Sequence, residues 1–239
     1  MVRTPYGRAT PVLLRLALRL AHGGQAVALQ DCRGRNQSGG EADWRREEDD
    51  GYDTLAWLGA QPWCDGRIGL VGISVGSLSL FPLAAGRPPD GTRVGAMVNV
   101  MGAVDFRSLF YRGGALVLHW ALPWMHLMAA RETTRPGWQQ ERWRELYRHL
   151  PLAEVPVPAP FEAARWRDLL AHPNSGEPWA GLDAGERLTG VRVPTLHLTG
   201  WYDFMLGQTL AAFRGMTRDA EAAGRGDAGR PAQRLVVGP

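Results

Sequence analysis

Apolar and polar positions along the first hundred residues switch repeatedly between two periods. From Pro11 to His22 the apolar residues recur at helical spacing, and Gly23-Gly24 supplies a stop, so the pattern predicts an amphipathic helix. Residues 25–30 form a short apolar run that reads as a buried strand. Residues 43–58 predict a second helix, which starts with mixed charges and finishes apolar through Tyr52, Leu55, Ala56 and Leu58. A strand at 67–71, a helix running from Ser77 to near Gly86 and a strand at 94–100 continue the series. Strands alternating with helices at this spacing predict an α/β fold with a mostly parallel sheet covered on both faces.

The rhythm breaks after Val104. Residues 105–188 are rich in tryptophan and arginine, with helical patterns at 116–130, 138–149 and 161–171 and a proline-rich run at 151–160. They are expected to form a helical cap inserted into the sheet domain. On this reading, residues 1–104 are the first part of the core and 189–239 an incomplete second part. The sheet resumes at 193–199, a low-complexity loop covers 220–231, and a last strand is expected at 234–237. Tyr6 already stands at a strand-to-helix junction and the chain stops at Gly238-Pro239, so the fold is expected to be truncated at both ends.

Charge changes this picture little. The formal net charge is +3 and the sequence pI about 9.2, yet all 27 basic residues are arginine. Arginine lifts a pI without implying an electropositive surface. The arginines also alternate with acids, as in Arg45-Arg46-Glu47-Glu48, the pattern of a solvated helix face rather than of a nucleic-acid stripe. Cys32 and Cys64 are too few for a disulfide framework and lack metal-ligand spacing, so free thiols are expected and no metal site. No apolar run approaches a membrane span, and no signal peptide is evident. A cytoplasmic protein with no membrane or nucleic-acid partner is the expectation; nothing in the pattern sets an oligomeric state.

The chemistry concentrates at Gly72-Ile73-Ser74-Val75-Gly76, a glycine-x-serine-x-glycine between a predicted strand and a predicted helix. That context is a nucleophile elbow, in which flanking glycines permit a tight turn that lifts the serine hydroxyl clear of the sheet. Asp203 follows the strand at 193–199, in the loop where a triad acid belongs. No histidine follows Asp203; His22, His119, His126, His149, His172 and His197 all precede it.

Six further segments accompany the elbow in order. They are Arg3-Thr4-Pro5-Tyr6, Asp31-Cys32-Arg33-Gly34, Ser38-Gly39-Gly40-Glu41, Asp50-Gly51-Tyr52-Asp53, Gln61-Pro62-Trp63 and Gly200-Trp201-Tyr202-Asp203. Together they resemble the cocaine esterase and X-Pro dipeptidyl-peptidase-like family of α/β-hydrolases, over nearly the whole chain. The resemblance implies an α/β-hydrolase fold, Ser74 as nucleophile, Asp203 as triad acid, and an oxyanion hole formed by the Tyr6 hydroxyl and the Val75 backbone N–H. It implies no cofactor. The sequence departs from the family pattern at Val75, where tyrosine is usual. It also ends before the segment that carries the family's triad histidine.

Two readings of the whole follow. One is a serine hydrolase that cleaves an ester or amide through an acyl-enzyme on Ser74, with a small-molecule or peptide acyl substrate, this chain itself being inactive for want of a base. The other is a non-catalytic relative that serves binding or assembly. Phe110, Tyr111, Trp120 and Trp124 either line an acyl pocket or form helix core; Trp120 and Trp124 share a face by their spacing. Asp31, Arg33 and Ser38 read as a charged loop built around structural ion pairs.

Overall fold

The computed structural model describes residues 1–132, 142–157, 160–174, 176, 179–222 and 231–239. The chain divides into two compact units, residues 1–105 with 181–239, and residues 106–180.

The first unit is built on β1 (Val2–Thr4), β2 (Leu29–Asp31), β3 (Arg67–Ile73) and β4 (Arg93–Val100). Between them lie α1 (Pro11–His22), α2 (Glu47–Gly59) and α3 (Leu80–Ala85). The strand β3 alternates buried and more exposed positions, the period of a pleated strand with one face inward. Its inward residues Ile68 and Leu70 join Leu55 and Leu58 of α2 and Phe81 and Leu83 of α3 in one core. The helix α1 has the predicted bounds but buries only Leu13, leaving Val12, Leu14 and Leu18 exposed.

The strand expected at 25–30 is shorter and later. The strand β2 pairs with β1 from Val2↔Leu29 to Thr4↔Asp31. Because β1 offers three residues, most of the apolar run before Leu29 has no ladder to join.

The second unit holds α4 (Arg107–Phe110), a small antiparallel pair β5 (Tyr111–Arg112) and β6 (Ala115–Leu116), then α5 (Leu118–Ala129), α6 (Trp143–Leu146) and α7 (Pro160–Ala171). The hairpin is not foreseen from the pattern. Of the helix expected at 138–149, residues 138–141 lie outside the described residues, and the remainder is the single turn α6. Edge-to-face aromatic contacts fill the unit's interior, with ring centroids 5.1 Å apart for Phe106 and Phe110 and 5.5 Å for Phe110 and Trp124. This unit ends at Ala180, before the boundary expected at Leu188. Residues 181–188 belong with the sheet because Ala184 and Leu188 enter its core and the Ala184 N–H donates to the Val104 carbonyl (2.9 Å).

The chain then completes the sheet with β7 (Thr195–Gly200), α8 (Leu206–Ala222) and β8 (Gln233–Gly238). Much of the loop expected at 220–231, residues 223–230, lies outside the described residues. The six strands run in the order β2-β1-β3-β4-β7-β8, and every pair is parallel. The carboxyl ends of β1, β3 and β7, neighbouring or nearly neighbouring strands, therefore open on one edge of the sheet. That edge carries the candidate site, as a parallel sheet dictates.

Candidate active site

Ser74 directly follows β3 and opens a 3₁₀ turn over Ser74–Ser77 that leads to α3. Its φ is +59°, a left-handed conformation that costs a non-glycine residue roughly 1–3 kcal/mol and persists only where the surroundings enforce it. The surroundings do. A Cβ on Gly72 would lie 2.3 Å from Leu80 Cδ1 and 2.8 Å from Ser77 Cα, because the turn folds straight back on the strand. A Cβ on Gly76 would lie 2.9 Å from the Arg3 carbonyl oxygen, because β1 presses on the turn from beside it. The two glycines of the motif are thus required by close approach.

Around the Ser74 hydroxyl the structure gathers two side chains. Tyr6, in the loop after β1, places its hydroxyl 3.4 Å from Ser74 Oγ. Met205, just before α8, receives the serine hydroxyl at its sulfur at 3.7 Å. Val75 buries its side chain in the core, and its backbone N–H stands at the start of the 3₁₀ turn, where helical turns leave N–H groups without an acceptor inside the turn. A tyrosine hydroxyl this close to a serine Oγ is a donor of the kind a developing oxyanion can use.

Asp203 lies in the loop between β7 and α8. Its Oδ2 accepts from Thr199 Oγ1 at 2.7 Å and its Oδ1 from the Met205 N–H at 2.9 Å. The second bond is a local turn that caps the approach to α8. It also ties Asp203 to the residue whose sulfur touches Ser74. Each carboxylate oxygen keeps a further acceptor position, so the group can still receive an imidazole N–H.

Among the described residues no histidine bonds to Ser74 or Asp203. His22 and His172 face backbone carbonyls of their own helices. His126 stands edge-on to Trp143. His197 is fully buried in β7, where Asn99 Nδ2 donates to its Nδ1 at 3.2 Å. Burial pushes its pKa from 6.5 to about 4, against a smaller upward pull from the Gln233 side chain. A ring so placed is neutral and structural.

Phe110, Tyr111 and Trp124 are buried inside the second unit, and Trp120 packs against Phe110 (6.0 Å) and Trp124 (5.7 Å). The Tyr111 hydroxyl donates to the Leu169 carbonyl at 2.9 Å. These residues make up the interior of that unit. Asp31, the last residue of β2, pairs with Arg8, and Arg33 in the loop after it pairs with Asp50. Arg3, Glu47 and Asp50 form a buried network beneath β1. The residues that sequence reasoning missed are Met205 and Thr199. Neither belongs to a recognisable motif, although Thr199 ends the run Thr195-Leu196-His197-Leu198-Thr199 four residues before Asp203.

Among the described residues no group of three or more histidine, cysteine or acidic side chains is placed to hold a metal ion.

Comparison with known proteins bears on the family and the fold. The chain is 31% identical over 261 residues to cocaine esterase from Rhodococcus sp. (strain MB1 Bresler), an alignment that covers 100% of this chain and 43% of that protein. In fold it matches the aminopeptidase from the marine sediment archaeon Thaumarchaeota archaeon, with a TM-score of 0.71 at 20% identity, over 100% of this chain and 43% of the other. It also matches the Pyrococcus furiosus esterase Pf2001, with a TM-score of 0.59 at 12% identity, over 99% of this chain and 70% of the other. The chain therefore spans under half the length of the curated relative it matches. The fold is that of the α/β-hydrolases, with a mostly parallel sheet. The family model for the X-Pro dipeptidyl-peptidases (S15 family) matches residues 1–239, and the chain belongs to that family.

Proposed function

We propose that this chain carries the nucleophile, the oxyanion hole and the triad acid of a serine hydrolase that cleaves an ester or amide. The observation that carries the reading is Ser74 at φ +59° with the Tyr6 hydroxyl 3.4 Å from its Oγ. A strained serine facing a hydroxyl donor at the carboxyl edge of a parallel sheet is the arrangement acyl transfer needs.

In this reading Ser74 Oγ attacks the substrate carbonyl carbon while an imidazole takes the hydroxyl proton. The carbonyl oxygen becomes the oxyanion and accepts from Tyr6 Oη and the Val75 N–H. The bond to the leaving alcohol or amine then breaks, and the imidazole returns the proton to the departing atom. Water, deprotonated by the same imidazole, attacks the acyl-serine and frees the acid and Ser74. Asp203 accepts the imidazole's other N–H and fixes its orientation. Among the described residues no histidine is hydrogen-bonded to Ser74 or Asp203, and on this reading the imidazole is a group that joins them from elsewhere. The substrate is a small-molecule or peptide acyl compound, in keeping with the family, and the mechanism requires no metal or organic cofactor.

The test is phosphonylation of Ser74 by a fluorophosphonate in the presence of free imidazole, followed by intact-mass spectrometry and peptide mapping. The expected result is one adduct per chain, on Ser74, absent from Ser74→Ala. A chain that stays unlabelled with imidazole present supports a binding or assembly role instead.

A further inference from the structure

Residues 31–38, from the last residue of β2 into the loop after it, take no part in the chemistry above, yet several of their polar groups bind one short segment, residues 5–8. Asp31 is 2% exposed. Its Oδ1 accepts the Arg8 backbone N–H at 2.6 Å, and its Oδ2 accepts Arg8 Nη1 at 3.1 Å and the Gln37 N–H at 3.3 Å. Arg35, 3% exposed, donates from Nε to the Pro5 carbonyl at 3.3 Å. Asn36 Nδ2 donates to the same carbonyl, also at 3.3 Å. The loop is itself fixed, since Ser38 Oγ donates to the Asp31 carbonyl at 2.6 Å and the Cys32 N–H to the Thr4 carbonyl at 2.9 Å.

The anchored groups bracket Tyr6. The Pro5 carbonyl precedes it and the Arg8 N–H follows Gly7, whose φ of +100° makes the segment a tight turn. The Tyr6 N–H donates to Thr4 Oγ1 at 3.1 Å. From between these anchors the Tyr6 ring reaches Ser74. Gly7 leaves the chain after Tyr6 free to take several directions, and the one it takes depends on what holds Arg8. An oxyanion donor displaced by about 1 Å can cost 10²-fold in rate.

We propose that Asp31 is a positioning residue for Tyr6: by holding the far end of residues 5–8 it aims the Tyr6 hydroxyl at the elbow serine. Arg35 and Asn36 hold the near end. This inference rests on the proposed oxyanion role of Tyr6 for its catalytic consequence, but the clamp itself can be read separately.

The experiment uses the full chain labelled with 3-fluorotyrosine, the Tyr6 resonance being assigned by its loss in Tyr6→Phe. Asp31→Ala is expected to shift or broaden the Tyr6 ¹⁹F line while the lines of Tyr52, Tyr111 and Tyr147 stay in place. It is expected to slow imidazole-assisted phosphonylation of Ser74 by about tenfold or more. In the Tyr6→Phe background the same replacement is expected to cost less than about twofold, because the group it positions is already gone. Asp31→Asn keeps one acceptor for the Arg8 N–H and falls between wild type and Asp31→Ala in both readouts. It carries the test alone if Asp31→Ala does not fold. An unmoved Tyr6 line in the folded variants, or losses that multiply with Tyr6→Phe, would overturn the clamp. A Tyr6 line that moves while the phosphonylation rate is indifferent to Tyr6→Phe would sustain the clamp and overturn the oxyanion role.

Discussion

Tyr6 and Ser74 lie 68 residues apart in the chain and 3.4 Å apart at their hydroxyls. The sheet order produces this meeting. The strand β1 lies directly beside β3, so the loops that leave their carboxyl ends emerge side by side. The Arg3 carbonyl pressing on Gly76 sets how close the two loops come.

If that hydroxyl is an oxyanion donor, Tyr6→Phe removes it with almost no change in shape. Ser74 phosphonylation with imidazole present should then slow by about 10²-fold, the scale for losing one such donor. Thermal stability should change little, since the ring remains. A rate within twofold of wild type would assign Tyr6 to packing.

The elbow glycines make a second, separable prediction. Gly72→Ala puts a methyl 2.3 Å from Leu80 Cδ1 and 2.8 Å from Ser77 Cα, and the backbone contact cannot yield by a rotamer change. Gly76→Ala puts one 2.9 Å from the Arg3 carbonyl. Each should destabilise the chain by about 1–3 kcal/mol in urea unfolding and slow Ser74 labelling more than the stability loss explains. Gly39→Ala, at a position with open space around it, is the control. Equal stability of Gly72→Ala and the control would refute the steric account.

How much of this was legible depends on what each element buries. The strands β3 and β4 and the helix α1 carry apolar side chains at a clear period, and the turn at Ser74 is marked by glycines that close approach demands. The helix α8 is not among the predicted elements, although Leu206, Leu210, Phe213 and Met216 recur at helical spacing. Its buried positions include Thr209, Ala212 and Met216, a stripe of polar, small and flexible residues, and Gly215 fits where a Cβ would meet Leu188 Cδ1 at 2.6 Å. The run before Leu29 errs the other way: its residues look like a strand, but the neighbouring strand is too short to pair with most of them. Met205 is invisible for a third reason. Its place beside Ser74 comes from tertiary packing at the start of α8, which no local pattern reports.

His197 gives the fold a dependence on acid. Its pKa is about 4 in the folded chain against 6.5 for an ordinary histidine, so between these values the unfolded chain binds the extra proton. Stability contributed by the neutral ring is complete above about pH 6.5 and is lost as pH falls toward 4, amounting to about 3 kcal/mol in all. In His197→Asn the slope of unfolding free energy against pH over that interval should be shallower by about one proton. Parallel slopes for the two chains would mean that His197 titrates normally.

Ser74 is held at the site by strain and faces a donor, but among the described residues its hydroxyl contacts Tyr6 and Met205, neither of which takes a proton at neutral pH. A serine without a base is a poor nucleophile, and the oxyanion hole and substrate binding alone leave a remnant of only ~10³–10⁴ over water. The chain alone should therefore hydrolyse p-nitrophenyl esters slowly. Free imidazole should raise the Ser74-dependent rate saturably, once the reaction of imidazole itself, read from Ser74→Ala, is subtracted. If Asp203 is the triad acid, its contacts set what it would contribute. Its two oxygens are fixed by Thr199 and by the Met205 N–H, so it presents its free acceptor positions in a set direction and should orient the added ring. Asp203→Asn keeps the shape, replaces an acceptor by a donor, and should cut the imidazole-dependent rate by about tenfold or more while leaving the imidazole-free rate unchanged. An imidazole effect of equal size in Asp203→Asn would remove Asp203 from the mechanism. Fast Ser74-dependent turnover with no imidazole would place a working base within the chain itself.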